Sequence, residues 1–391
     1  MVSIGGMKLK NKYYTLKNIL KENADYNVVF GKRSNGKSFS GKELILFGFH
    51  ENGININGYL DDGSQGAILR RMEEDFRKGR GSSMWSDIIS NPLNGNMLEK
   101  ATDGKWNYIK FYSMAWYLCK IEDGKEILVD NEPFCYSFAL SSAEHIKSNQ
   151  FPKITNIMFD EFIATMGYLI NEFILFTSVI STIKRDRQNI KVFLFGNSIN
   201  MINPYFTEMG LTNAKKMKKN TIDVYKYGNS DLKVAVEYTG DIVDEKDKSK
   251  KKIDKWFAFD NPRLKMITTG DWELDIYPHL PYKYKPKDII YTYFIVFEGE
   301  TFQCEIIDVD YQMKPFTYIH RKTTPIKEGE PNIIYSQGYS TEPNHKRKII
   351  HALSDIERKI VWFFQNERVF YQNNEVGNMI DNYIEWCRNS K

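Results

Sequence analysis

Gly31 to Ser38 read Gly-Lys-Arg-Ser-Asn-Gly-Lys-Ser, the Gly-x-x-x-x-Gly-Lys-Ser pattern of a phosphate loop. An apolar run, Tyr26 to Phe30, precedes it, and Lys37 to Phe49 follows with apolar residues at helical spacing. Such a loop turns backbone N–H groups and a helix N-terminus toward a phosphate, sets its lysine against the β and γ oxygens and its serine on Mg²⁺. Gly31, Lys32, Arg33, Ser34, Asn35, Gly36, Lys37, Ser38 and Phe39 are therefore the expected nucleotide contacts. A chance glycine-rich turn is the plain alternative, and the strand, loop and helix context argues against it.

Ile154 to Ile163 read Ile-Thr-Asn-Ile-Met-Phe-Asp-Glu-Phe-Ile, an apolar strand that delivers Asp160 and Glu161 at its carboxyl end. Adjacent acids there are costly unless a positive group faces them, and a Mg²⁺–phosphate complex is such a group. Asp160 then binds the metal, and Glu161 orients and deprotonates the attacking water. The alternative is a helix N-cap pair. Asn197, at the tip of the next apolar strand (Ile190 to Gly196), stands where an amide reaches a γ-phosphate or water, unless it merely caps a turn. Lys184, Arg185 and Arg187 close a helix, where cations offset the macrodipole.

The elements that must position these groups alternate. Strand, phosphate-loop helix, strand (Ala67 to Arg71), acid-tipped strand, helix (Gly167 to Ile183) and polar-tipped strand predict an α/β domain with a mostly parallel sheet, its ligands at the carboxyl ends of the strands. Tyr108 to Ile121 and Glu126 to Phe138 read as a hairpin turning at Glu122 to Lys125. Beyond Leu211 the pattern changes. Asp241 to Lys255 is a mixed-charge, apolar-poor run, and Pro278 to Pro286 marks a boundary. Three strand-like runs (289–298, 301–310, 316–321) and two helices (348–364, 375–387) then predict a smaller α/β domain. The expected division is 1–225, a linker at 226–283, and 284–391.

With 391 residues, 42% of them apolar, the chain can bury two cores. The balance of 54 basic against 50 acidic residues leaves a charge of only +4, so contact with nucleic acid requires a local patch. Four scattered cysteines and six histidines form no ligand-spaced cluster, which predicts a reducing compartment and no structural zinc. The amino terminus has no signal-like apolar core, and Phe173 to Ile180 is too short to span a bilayer, so a soluble intracellular protein is expected.

A longer constellation resembles one family. It comprises the loop with Arg33, Lys147-Ser148-Asn149 ahead of Phe159 to Ile163, Asn171-Glu172, Arg185 with Arg187, Gly196-Asn197, and Asn203 to Phe206. These residues are similar to those of the podovirus DNA encapsidation proteins, the genome-packaging ATPases of short-tailed phages. The resemblance implies an ATPase of the additional-strand (ASCE) class that uses ATP and Mg²⁺ and forms a homo-oligomeric ring, a pentamer. It further implies docking on the portal of a procapsid in the host cytoplasm and pumping of double-stranded DNA. It gives Arg185 the part of an arginine finger acting on the neighbouring subunit, Lys147 that of a second trans-acting cation, and the carboxyl domain a ribonuclease H-like fold without nuclease activity. Arg70-Arg71 match a basic stretch in relatives, but Glu73-Glu74 follow where a base is expected.

Two other readings stay open. A large terminase with a working nuclease needs carboxylates converging on two metal ions. Glu305, Asp308 and Asp310 lie close in sequence, yet the first strand of that domain has no interior acid. A nucleotide-gated assembly protein without turnover would not need Glu161. His345-Lys346-Arg347-Lys348 is a candidate phosphate-contacting patch.

Overall fold

The computed structural model describes residues 2–4, 7–9, 13–31, 35–77, 79–146, 149–164, 168–169, 171–197, 203–228, 230–240, 277–280, 283–309 and 315–389. The chain forms two compact units, Met1–Thr165 with Asn171–Ala258, and Met166–Ile170 with Phe259–Lys391.

The first unit begins with the small hairpin β1 (Val2–Ile4) and β2 (Met7–Leu9), followed by the phosphate-loop strand β3 (Tyr26–Gly31). A second small hairpin, β4 (Phe49–Glu51) and β5 (Ile54–Ile56), leads to β6 (Gln65–Arg70). Then come β7 (Tyr108–Tyr112), β8 (Ala115–Glu122), β9 (Lys125–Val129), β10 (Cys135–Ala139), β11 (Ile154–Asp160), β12 (Lys191–Asn197), β13 (Thr221–Lys226) and β14 (Lys233–Thr239). The large sheet runs β13-β14-β3-β12-β11-β6-β10-β8-β7, with β9 paired to β8. From β14 to β10 every neighbouring pair is parallel.

Parallel strands are covered on both faces, so they carry continuous apolar runs rather than alternating ones. Val28, Val29 and Phe30, Ala67, Ile68 and Leu69, and Ile157 and Phe159 are all fully buried. The helix Lys37–Phe47 packs on this sheet through Gly41, where a Cβ would lie 2.5 Å from the Phe195 ring. On the other side of β11, Tyr205 centres an aromatic cluster, 5.5 Å from Phe159, 5.5 Å from Phe162 and 5.5 Å from Phe176. Truncating such a ring costs about 3–5 kcal/mol.

Three expectations shift. The run Glu126 to Phe138 is two strands, because the chain turns through Asp130 to Phe134 and β10 then lies between β6, in parallel, and β8, antiparallel. The helix expected from Gly167 spans Glu172–Lys184. Strands β13 and β14 extend the large sheet past the point where a linker was expected, with β14 lying against β3. Lys147 and the loop residues Lys32, Arg33 and Ser34 lie outside the described residues, as do Asp241 to Lys255.

The second unit is built on β15 (Ile289–Phe297), β16 (Glu300–Ile307), β17 (Phe316–Arg321), β18 (Ile334–Ser336), β19 (His345–Lys346) and β20 (Val369–Tyr371), in the order β19-β18-β15-β16-β17-β20. β15, β16 and β17 form an antiparallel meander, while β18, β19 and β20 join in parallel. Its helices are Asp355–Gln365 and Asn374–Asn389. The first starts seven residues later than expected because Ser354 and Glu357 make a capping box, Ser354 N donating to Glu357 Oε2 at 2.7 Å. No helix among the described residues is long and apolar enough to cross a membrane.

Candidate active site

Gly36 is where the phosphate loop becomes a helix. Its φ of 94° suits glycine, and a Cβ there would sit 2.5 Å from that of Tyr13. Lys37, only 5% exposed, donates to Asn35 Oδ1 at 3.0 Å and to the Gly31 carbonyl at 3.3 Å. Burial pushes its ammonium down to about 8, against the pull of Asp160. A buried cation that donates to neutral oxygens can exchange them for those of an anion.

Parallel pairing puts the strand ends in one row. Gly31 lies in register with Asn197 on one side and Thr239 on the other, and β12 stands between the phosphate-loop strand and the acid-tipped β11. Ser38 Oγ donates to Asp160 Oδ1 at 2.6 Å, joining groups 122 positions apart. Asp160 and Glu161 cap no helix: Glu161 enters a turn at φ 60°, and the next helix has Asn171 as its cap.

Arg70, at the tip of β6, is the residue that sequence reasoning left without a role here. Its Nη2 donates to Asp160 Oδ2 at 2.6 Å and its Nη1 to Glu161 Oε2 at 2.7 Å, while the buried Nε has no acceptor among the described residues. The signal was present, since a cation at the carboxyl end of a buried strand faces the same question as the acids do. Arg71 turns the other way. It forks onto Glu172, Nε to Oε2 at 2.7 Å and Nη2 to Oε1 at 2.9 Å, and also reaches the carbonyls of Phe162 (2.8 Å) and Glu161 (3.3 Å). Tyr205 OH donates to Glu172 Oε1 at 2.8 Å. The Asn203 to Phe206 motif thus has a physical duty: Asn203 caps its short helix, Tyr205 fixes Glu172, Glu172 fixes Arg71, and Arg71 holds the backbone from which Glu161 projects.

A second network lies behind the loop. Asn35 Nδ2 donates to Thr239 Oγ1 at 2.8 Å, and Tyr14 OH to Glu237 Oε2 at 2.5 Å. Burial lifts the Glu237 carboxyl to about 7. Nothing in sequence spacing pointed to Tyr14, Glu237 or Thr239, because β14 reaches the loop only through sheet pairing.

Arg185 and Arg187 are not brought to these acids. Arg187 donates to the carbonyls of Phe151, Pro152, Ile154 and Ile183, and Arg185 to that of Asn149 at 3.0 Å. They lie near the amino-terminal end of β11, about 20 Å along the strand from Asp160 at roughly 3.3 Å per residue.

Residues 117–261 match the family model of the podovirus DNA encapsidation protein (Gp16). Over that span the chain is similar to the podovirus DNA encapsidation proteins. A DNA packaging protein of Bacillus phage B103 is 26% identical over 227 residues, 57% of this chain and 58% of that protein. That of Bacillus phage phi29 is 23% identical over 217 residues, 55% of each. The match thus spans a little over half the length of these curated relatives. A chain of the bacteriophage Phi-29 viral genome packaging motor assembly superposes with a TM-score of 0.54 at 18% identity, covering 97% of this chain and 100% of that one. One of the Phi-28 gp11 DNA packaging motor gives 0.51 at 17%, covering 98% and 99%. At such identities the overlays establish a shared fold. The span matched by the family model holds Asp160, Glu161, Arg185 and Asn197, whereas Gly31 to Ser38 and Arg70 lie upstream of it, so geometry is what ties the two halves of the site together.

In the second unit, Glu305 is 5% exposed and accepts from Gln303 Nε2 at 2.6 Å and from the Tyr284 hydroxyl, with His320 Nε2 at 3.5 Å. Asp310 lies outside the described residues, and among those described no group of three His, Cys, Asp or Glu side chains is placed to hold a metal. In the basic cluster, Arg347 stacks on Tyr339 (4.1 Å) and faces Trp386 (5.4 Å), so this cation packs within its own unit.

Proposed function

We propose that the chain is an ATP-hydrolysing DNA packaging motor subunit of a phi29-like phage. The observation that carries this is the 2.6 Å contact of Ser38 with Asp160, beside a buried Lys37 and a Glu161 whose side chain is 62% exposed. The residues fit a metal–triphosphate: Lys37 donates to the neutral oxygens of Gly31 and Asn35, Ser38 and Asp160 supply two hard oxygen ligands, and the buried Arg70 Nε lacks an acceptor among the described residues. β12 inserted between β3 and β11 supports the additional-strand class. The order β17-β16-β15-β18-β19, antiparallel then parallel, supports the ribonuclease H-like reading of the second unit, and the saturated Glu305 supports loss of its nuclease chemistry.

The bound metal would supply charge neutralisation at the transferring phosphoryl group. The chain's own residues do the rest. Lys37 exchanges carbonyl oxygens for phosphate oxygens, and Asn35 and Gly31 release it. Ser38 and Asp160 hold the metal. Glu161 takes the proton of the attacking water, which requires that Arg70 first let go of its Oε2, because a carboxylate in a 2.7 Å charge-assisted bond is a weaker base. Asn197, one strand away from the acids and level with Gly31, is placed to sense the γ-phosphate. Arg185, remote from its own loop, acts on a neighbour's site if it acts at all in the chemistry, and a homo-oligomeric ring on a procapsid portal is the assembly in which it does so.

The test is DNA-stimulated ATP hydrolysis. Lys37→Ala should abolish nucleotide binding, and Glu161→Gln should bind ATP while losing on the order of 10²-fold or more in kcat. Near wild-type turnover by Glu161→Gln would sink the assignment.

A further inference from the structure

Beside the acids lies a cleft of about 420 Å³ whose lining includes Ser38, Arg70, Asp160 and Glu161 together with Lys42, Asp75 and Arg80. Three of these are cations, and two are committed. Arg70 is bound by both acids, and Lys42 donates to the Met84 carbonyl at 2.9 Å and pairs with Asp87. Arg80 is held far more weakly: its side chain is 65% exposed, its Nη1 lies 3.7 Å from Asp75 Oδ1 and 3.4 Å from the Glu74 carbonyl.

The backbone carrying it is not loose. Gly79, at φ 81°, turns the chain into the short helix Arg80–Ser83, and Trp116 Nε1 donates to the Gly81 carbonyl at 2.8 Å. Gly81 itself packs so closely that a Cβ would meet the Phe111 ring at 2.5 Å. The anchor is therefore fixed to the sheet while the guanidinium is left free to move.

We propose that Arg80 is a further catalytic cation of this site, supplied by the same chain, whose guanidinium leaves Asp75 to contact the γ-phosphoryl oxygens. The proposal rests on the nucleotide reading above. The acids and cations lining the cleft balance, Asp75, Asp160 and Glu161 against Lys42, Arg70 and Arg80, so a net-negative metal–triphosphate entering beside Lys37 favours any further cation that can turn toward it, and Arg80 is the one held most weakly. A cation placed where charge develops in the transition state accelerates hydrolysis without tightening ground-state binding.

The experiment compares wild type, Arg80→Ala and Arg80→Lys in three measurements: the dissociation constant for Mg²⁺–ADP, that for Mg²⁺–ADP with aluminium fluoride, and kcat with ATP. Arg80→Ala should bind ADP within about threefold of wild type, lose ten-fold or more of the affinity gained on adding aluminium fluoride, and drop kcat by on the order of 10²-fold. Arg80→Lys should recover part of both losses, which a merely structural role would not produce. Wild-type kcat and wild-type aluminium fluoride affinity in Arg80→Ala would overturn the proposal while leaving the nucleotide reading intact. Wild-type protein that binds no nucleotide would overturn that reading and this proposal with it.

Discussion

The two units place a buried carboxylate on a β-strand among aromatic residues and reach opposite results. In the first, Asp160 and Glu161 sit at the open end of parallel strands and share one arginine, Arg70, a cation that can leave, while Lys37 also feels the charge of Asp160. In the second, Glu305 is on a meander strand and is satisfied by Gln303, Tyr284 and His320. A carboxylate held by one displaceable ion is ready for a metal. A carboxylate saturated by its own unit is part of the scaffold.

The largest test of this contrast concerns Arg185. If it serves a neighbour's site, Arg185→Ala should bind ATP normally and hydrolyse it about 10³-fold more slowly, and mixing such subunits with Glu161→Gln subunits should restore part of the activity. Mixed rings that stay dead would make Arg185 a fold-supporting residue like Arg187.

Next is the support beneath Glu161. Glu172→Ala removes the buried carboxylate onto which the partly buried Arg71 forks, which should cost about 3–5 kcal/mol in a urea melt, whereas Tyr205→Phe removes one hydrogen bond and should cost about 1–3 kcal/mol. Equal costs would mean that Arg71 finds other acceptors.

On the other side of the comparison, Glu305→Gln should lower stability by about 1–3 kcal/mol and leave ATP hydrolysis unchanged, and plasmid DNA incubated with Mn²⁺ should stay intact with either protein. Cleavage that vanishes in Glu305→Gln would erase the distinction between the units.

The smallest effect is electrostatic. Glu237 has its carboxyl raised to about 7 by burial, so the folded state holds its proton where the unfolded state has lost it. Its contribution is full at acidic pH and fades as pH rises from the ordinary glutamate range through about 7. Wild type should therefore lose more thermal stability than Glu237→Gln across that window, and parallel pH profiles would show that Glu237 ionises as it does in the unfolded chain.

Much of the site was legible because its chemistry is local. Gly31 to Ser38 and Asp160-Glu161 are contiguous runs whose residue types and spacing mark them as candidates for phosphate chemistry, and the strands bearing them are apolar enough to be recognised. Arg70 was harder: its neighbours in the site are 90 and 91 positions away, and only the pairing of β6 with β11 shows that a strand-end arginine meets the acids. Tyr14, Glu237 and Thr239 were out of reach, because β14 returns to β3 after some 200 residues and no local pattern records that return. By itself the sequence determined which side chains could do phosphate chemistry and which segments are strands, since both follow from short-range composition and periodicity. Tertiary structure alone decided that Asn197 and Thr239 flank Gly31, that one arginine holds both acids, and that Arg185 stands at the far end of β11, because register and strand order are set by how whole faces pack and not by any one segment.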